Sequence, residues 1–249
     1  MATISEDQAL SPRKRRTLIL DIAVVALLLA GAFLVHPWDS QLSDAMVRFP
    51  VHSDHLAAQV VRSLGKTDVA GFCILLLAWA LSDRLLLWRF TLSMTAAGIL
   101  VWIFKLAVGR QRPNGASAHV SFPSGDAATA FVWAAVLAAG YPAAAVPVFL
   151  VAAAVAILRV TGGYHYPSDI LAGAAIGYLA ARYAVRRVNR IPGLLYRLTY
   201  GVRLLVISIV AVVAVGVSRA LSGHNLAAPI VAATVVVVSV AIHQVRERR

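Results

Sequence analysis

Apolar residues in this chain fall into long runs, without the alternation of a half-buried strand or the one-sided stripe of a water-soluble helix. The first run covers 17–35. A mixed polar stretch, 37–66, follows it and contains Trp38, Asp39, Asp44, Arg48 and Pro50. Within that stretch, His55-Leu56-Ala57-Ala58-Gln59-Val60-Val61 reads as an amphipathic helix lying along a surface. Further apolar runs cover 68–82, 90–108, the segment from Pro123 to Gly140-Tyr141-Pro142, 142–158 and 168–185. Two more, 202–218 and 226–243, make a terminal pair. A helix needs about 20 mostly apolar residues to cross a bilayer. The pattern therefore predicts an all-α, polytopic transmembrane helical bundle, with a six-span core and a C-terminal two-helix hairpin.

Composition agrees. The chain has 249 residues, 60% hydrophobic and 14% charged, and its mean hydropathy is +0.78. Soluble domains carry about 25% charged residues. The formal net charge of +12 would suit nucleic acid if the cations formed a patch, but the arginines stand at the ends of apolar runs, as in membrane proteins. No nucleic-acid partner is expected, and the bilayer is. Placing the clusters Arg13–Arg16, Arg84 with Arg89, Arg182–Arg190 and Arg246–Arg249 on one side makes that side cytoplasmic. Both termini then lie there. The expected division is a cytoplasmic tail 1–16, a core 17–190, and a hairpin with basic tail 191–249. The run at 17–35 is longer than a signal-peptide core and is read as a retained span. The expected location is the inner membrane of a bacterial cell.

Some residues have plain structural readings. Cys73, alone in the chain, packs as a small apolar side chain and excludes an internal disulfide. Gly173 and Gly177 have the spacing at which two membrane helices approach closely. Trp102 and Trp133 pack or anchor at the interface. Asp21, an acid inside the first span, could pair with nearby Arg16.

The opposite, outer side keeps its own cations in a few segments. Lys105 ends one span, and Gly109-Arg110-Gln111-Arg112-Pro113 follows it. Arg159 closes another span. A buried ammonium is costly unless paired, and guanidinium forks match phosphate oxygens two at a time. These cations, converging, make an oxyanion site. Pro123-Ser124-Gly125-Asp126 opens a span, where free backbone amides face an anion and glycine permits close approach. His165 and Asp169 lie four apart across Pro167. At that spacing a carboxylate can orient the imidazole and leave its other nitrogen free to attack.

These motifs, in this order, resemble the type 2 phosphatidic acid phosphatase (PAP2) superfamily. Lys105 to Arg112-Pro113 matches its first motif in full, and Arg159, His165 and Asp169 match the third in spacing. The resemblance implies that Lys105, Arg112 and Arg159 hold the phosphoryl oxygens and that Ser124 and Gly125 complete the cradle. It implies that His165 attacks phosphorus to form a phosphohistidine, with Asp169 orienting it. No metal or other cofactor is implied. Two positions depart from the pattern: Leu158 replaces a serine, and Asp126 replaces the histidine that protonates the leaving oxygen. Asp126 is the candidate for that task here, with His119 as a substitute acid and Arg110 as a further phosphate contact.

The function expected is a membrane lipid phosphatase acting at the periplasmic face. The departure at Asp126 favours an easily leaving group, as in a polyprenyl diphosphate or lipid A 1-phosphate, over phosphatidic acid or phosphatidylglycerophosphate. Two alternatives share these residues: a lipid-to-lipid phosphotransferase with the same intermediate, and a non-enzymatic carrier or flippase of anionic lipids.

Overall fold

The computed structural model describes residues 11–48, 56–81, 83–115 and 120–188. The hairpin at 202–218 and 226–243, the first ten residues and His119 lie outside the described residues. Helices α1 (Pro12–Val35), α2 (Asp39–Arg48), α3 (Leu56–Ser63) and α4 (Thr67–Ala80) are followed by α5 (Arg84–Val108), α6 (Gly125–Gly140), α7 (Ala145–Thr161) and α8 (Pro167–Arg187). Single 3-10 turns at His36–Trp38 and Pro142–Ala144 make corners. The described residues contain no strand, so the all-α expectation holds.

Local chemistry sets the boundaries. Asp83 caps α5 by accepting the Leu86 amide at 3.0 Å. Gly109, at φ 60°, ends α5 in the left-handed conformation. Ser124 caps α6 through the Ala127 amide at 3.3 Å. Pro167 opens α8, where its missing N–H costs nothing. The amphipathic segment predicted at 55–61 is α3, whose Ala58 and Ser63 turn inward.

Helices stand at all six positions where spans were expected. Three segments have the length and apolarity to cross a membrane on their own: Lys14–Arg48, Leu85–Val108 and Pro142–Thr161. The apolar segments Thr67–Ala78 and Gly125–Gly140 are shorter; sixteen residues rise only about 24 Å, short of a hydrocarbon core of about 30 Å. Residues 167–187 carry Asp169, Arg182, Arg186 and Arg187, which dilute the apolar run.

Burial explains the difference. Helix α6 is the core: Ala127, Ala130, Val132 and Ala134 are fully inaccessible. It packs against α5, α7 and α8, and a helix apolar all round is one enclosed by others. In contrast α1, α5 and α7 keep Leu27, Phe33, Trp102 and Leu150 exposed, the faces a bilayer would cover. Trp102 is thus on the outside, while Trp133 is buried and donates to the Leu64 carbonyl at 3.2 Å.

The closest contact joins α6 to α8. A methyl on Gly173 would sit 2.3 Å from the Ser124 carbonyl oxygen, and one on Gly177 would sit 2.2 Å from that of Ala128. Those glycines are required by the neighbouring backbone, as their spacing predicted. This contact brings the start of α6 against the start of α8, and the Ser124 amide donates to the Asp169 carbonyl at 3.0 Å.

Helix α1 is tied to α8 by Asp21. Its carboxylate accepts from the Tyr178 hydroxyl at 2.7 Å and from Arg182 Nε at 2.8 Å, and it pairs with Arg186. The partner is not Arg16. Five residues along a helix turn about 140° around its axis, so Arg16 and Asp21 do not share a face.

Candidate active site

The Ser124–Asp169 bond, the Asp126–Arg159 pair and the bond from Lys105 to the loop before α6 bring together the end of α5, the start of α6, the end of α7 and the start of α8. That end gathers most of the residues singled out above. Arg112, in the loop after α5, lies within electrostatic reach of Lys105, Arg159 and His165. Lys105 in turn feels Asp169 and Asp126. Three cations and an imidazole thus come from different segments to one place.

Their partners differ. The Lys105 ammonium donates to the Val120 carbonyl at 2.8 Å, strapping the loop that leads to α6. The Arg159 guanidinium lies over the Tyr164 ring at 4.5 Å. Its Nε is 3.1 Å from Asp126 Oδ2, an ion pair by distance without the alignment of a hydrogen bond. Arg112 Nε is buried and has no hydrogen-bond partner among the described residues. A buried guanidinium nitrogen left bare is costly, and an anion would satisfy it.

His165 sits in the turn between α7 and α8, 2% exposed. Its amide, with that of Tyr164, donates to the Arg159 carbonyl. Gly163, at φ 70°, makes the reversal that this wrap requires. The imidazole Nδ1 is 3.7 Å from Asp169 Oδ2, too far for a hydrogen bond. Ser121 fills the gap: its hydroxyl is 3.4 Å from Nδ1 and donates a short bond to Asp169 Oδ2. With Nδ1 turned toward this pair, Nε2 is the free nitrogen. Burial pushes the imidazole below its ordinary value, Arg159 and Arg112 push the same way, and Asp169 opposes them.

Asp169 is fully buried. Besides Ser121 it accepts the Tyr166 amide at 2.8 Å, capping its own helix, and Oδ1 is 3.1 Å from Arg110 Nη1. Arg110 is held elsewhere than expected for a phosphate contact. It stacks on Tyr166 at 3.8 Å, and the same Nη1 meets Ser168 Oγ at 2.9 Å and Asp39 Oδ2 at 2.9 Å.

Asp126, the candidate proton donor, faces Arg159 as the acidic half of an ion pair. Gly125 has open space around its missing side chain; a methyl there would meet only Val101, at 3.8 Å. No group of acids, histidines and cysteines able to hold a metal occurs among the described residues. Three residues were missed by sequence reasoning: Ser121, Ser168 and Asp39. Ser121 and Ser168 each lie beside a motif residue, which was the only available signal. Asp39 follows the first apolar run directly, an acid at the same end of a span as the outer cations.

Part of this chain is similar to known proteins. Residues 86–192 match the PAP2 superfamily. A lipid A 1-phosphatase of Porphyromonas gingivalis is 39% identical over 92 residues, which are 35% of this chain and 20% of that protein. A lipid A 1-phosphatase of Rhizobium johnstonii is 36% identical over 99 residues, 34% of this chain and 41% of the relative. The matches thus span less than half the length of these curated relatives. Among solved structures, LpxE of Aquifex aeolicus superposes with a TM-score of 0.53 at 25% identity, covering 60% of this chain and 95% of that one. A PAP2-type phosphatidylglycerolphosphate phosphatase of Bacillus subtilis gives 0.55 at 20% identity, over 69% and 98% of the two chains, a likeness of fold. The region that matches the PAP2 superfamily, residues 86–192, carries Lys105, Arg112, Arg159, His165 and Asp169 in the order that the resemblance implied.

Proposed function

We propose that this protein is a membrane phosphatase that removes a phosphate from a lipid through a phosphohistidine on His165. The observation that carries the reading is the buried imidazole whose Nδ1 faces Ser121 and Asp169 beside Arg112 and Arg159. Lys105, Arg112 and Arg159 grip the phosphoryl oxygens, and the open start of α6 at Gly125 offers its amide to the same group. His165 Nε2 forms a bond to phosphorus as the bond from phosphorus to the leaving oxygen breaks. The Nδ1 proton stays directed at Ser121 and Asp169, whose charge stabilises the imidazolium. Water then attacks phosphorus, the P–N bond breaks, and phosphate leaves.

Asp126 stands where the family pattern has a proton-donating histidine. Paired with Arg159, it is better suited to holding that guanidinium than to giving up a proton. The leaving oxygen must then depart with little help. A diphosphate or an anomeric phosphate does so more readily than a simple alkyl phosphate. This supports a polyprenyl diphosphate or a lipid A 1-phosphate as substrate, and the names of the curated relatives point to the second. The larger number of cations in the segments assigned to the other side, Arg13–Arg16, Arg84 with Arg89, Arg182–Arg190 and Arg246–Arg249, supports a catalytic centre facing the periplasm of a bacterial inner membrane, with both termini cytoplasmic.

Replacing the nucleophile is the direct test. In detergent, His165→Ala should release no phosphate from lipid A or a polyprenyl diphosphate, while the wild type should yield an acid-labile, base-stable phosphoprotein on rapid quenching. An active His165→Ala variant would overturn this mechanism. Release of free phosphate, rather than a newly phosphorylated lipid, separates hydrolysis from transfer.

A further inference from the structure

Asp39 is 1% exposed and lies far in sequence from all three motifs. Its Oδ1 accepts the Ser168 amide at 2.9 Å. Its Oδ2 accepts a short bond from the Ser168 hydroxyl and lies 2.9 Å from Arg110 Nη1 and 3.1 Å from His36 Nδ1. Ser168 immediately precedes Asp169. One buried acid from the start of α2 therefore grips both the first turn of α8 and the arginine that pairs with Asp169.

Charge balance gives this contact a consequence. A single guanidinium nitrogen, Arg110 Nη1, serves two buried carboxylates, Asp39 and Asp169. Two buried anions to one cation would be unfavourable in isolation. Next to His165 the excess negative charge is useful, because the imidazole becomes cationic when it bonds to phosphorus. His36 is mostly exposed and supplies only the outer edge of the cluster. The groups that act on His165 itself are Asp169 and Ser121, beside its Nδ1, and the charges of Arg159 and Arg112.

We propose that Asp39 is a positioning residue for phosphoryl transfer: it shares Arg110 with Asp169, so that Asp169 keeps an uncancelled negative charge directed at His165. Without Asp39, Arg110 would pair with Asp169 alone and weaken its hold on the imidazole. This inference rests on His165 being the nucleophile.

The test uses the full-length protein in detergent, with lipid A or a polyprenyl diphosphate in mixed micelles and phosphate release as the readout. Asp39→Asn should lower kcat by about tenfold or more, as for other small misplacements of a reacting group, with KM within about twofold of wild type. The acid limb of its kcat/KM profile should move to lower pH, because the freed Arg110 charge opposes protonation of His165. Asp39→Glu keeps the charge and should return the limb toward wild type. Ser168→Ala removes two hydrogen bonds, to Asp39 and from Arg110, and no charge; it should cost about threefold in kcat and leave the limb in place. Wild-type kcat in Asp39→Asn, or a lower kcat with an unmoved limb, would overturn the proposal. If Asp39→Asn does not fold, wild-type kcat in Ser168→Ala or a displaced limb in Asp39→Glu overturns it instead. A wild type inert on every phosphorylated lipid would mean that the reading of the whole site fails. An active wild type with an equally active Asp39→Asn would remove only the role of Asp39.

Discussion

Helix α8 carries a charge cluster at each end, and the two are built in opposite ways. Toward its C-terminal end, one carboxylate, Asp21, is surrounded by Arg182, Arg186 and the Tyr178 hydroxyl. These bonds join α1 to α8. At the N-terminal end, Asp39 and Asp169 share Arg110, while Arg112 Nε stays bare and Arg159 holds Asp126 without good alignment. Cations saturated by the fold hold helices together; cations left unsaturated wait for an anion. Buried charge alone does not mark a catalytic site, because both ends have it. The unfilled valence sets the candidate site apart.

The sharpest way to break this comparison is to delete one cation from the N-terminal cluster and the acid from the other. Arg112→Ala should lower kcat/KM for lipid phosphate release by about a hundredfold to a thousandfold, the usual worth of one donor to a developing oxyanion. Its Tm should hold or rise, since Arg112 opposes Lys105 and Arg159 and its Nε has no hydrogen-bond partner among the described residues. Asp21→Ala should do the reverse. It strands two guanidinium groups near the end of a helix pair and should cost about 2–3 kcal/mol of stability, a little below the fully buried case because Arg186 is 40% exposed. Its kcat should be unchanged. Matched Tm losses in both variants would erase the distinction. Between these and the smallest effect lies Ser121→Ala. Without the hydroxyl that bridges Nδ1 and Asp169, kcat should fall by about tenfold, the worth of about one hydrogen bond to a charged group. Full activity in that variant would show that the 3.7 Å gap closes unaided.

Much of the candidate site was legible in the sequence because helix boundaries announce themselves. Gly109, Pro123 and Pro167 mark where α5 ends and α6 and α8 begin, and Lys105, Ser124 and Asp169 lie within one turn of those marks. The all-α class followed from the apolar runs, and a close helix approach on α8 followed from the spacing of Gly173 and Gly177, although its partner, α6, did not. Pairings across the bundle did not follow. Asp21 finds Arg182 and Asp39 finds Ser168 because α1 runs the length of α8, and no spacing rule within a single helix reports that. Nor did the sequence separate α6 from the lipid-facing helices: apolarity reads the same whether lipid or protein is the neighbour. Arg110 shows the same limit. Two residues from Arg112 in a cationic motif, it was a natural phosphate contact until Asp39, far away in the chain, was seen to hold it.

The smallest effect concerns protonation. Burial lowers the affinity of the His165 imidazole for a proton, and Arg159 and Arg112 add to this, while Asp169 works against them. The net shift is downward from 6.5, so the imidazole stays neutral and nucleophilic as pH falls through that value. The acid limb of kcat/KM should accordingly lie below pH 6.5. In Asp169→Asn the opposing carboxylate is gone, and the limb of the residual activity should move lower still. The substrate's own phosphate ionisation is the same in both enzymes and cancels in the comparison. Because Asp21 lies at the far end of α8, Asp21→Ala should leave the limb where it was, which makes that variant the control. A wild-type limb above 6.5, or one that rises in Asp169→Asn, would mean that the cations of this end do not face His165 as the structure has them.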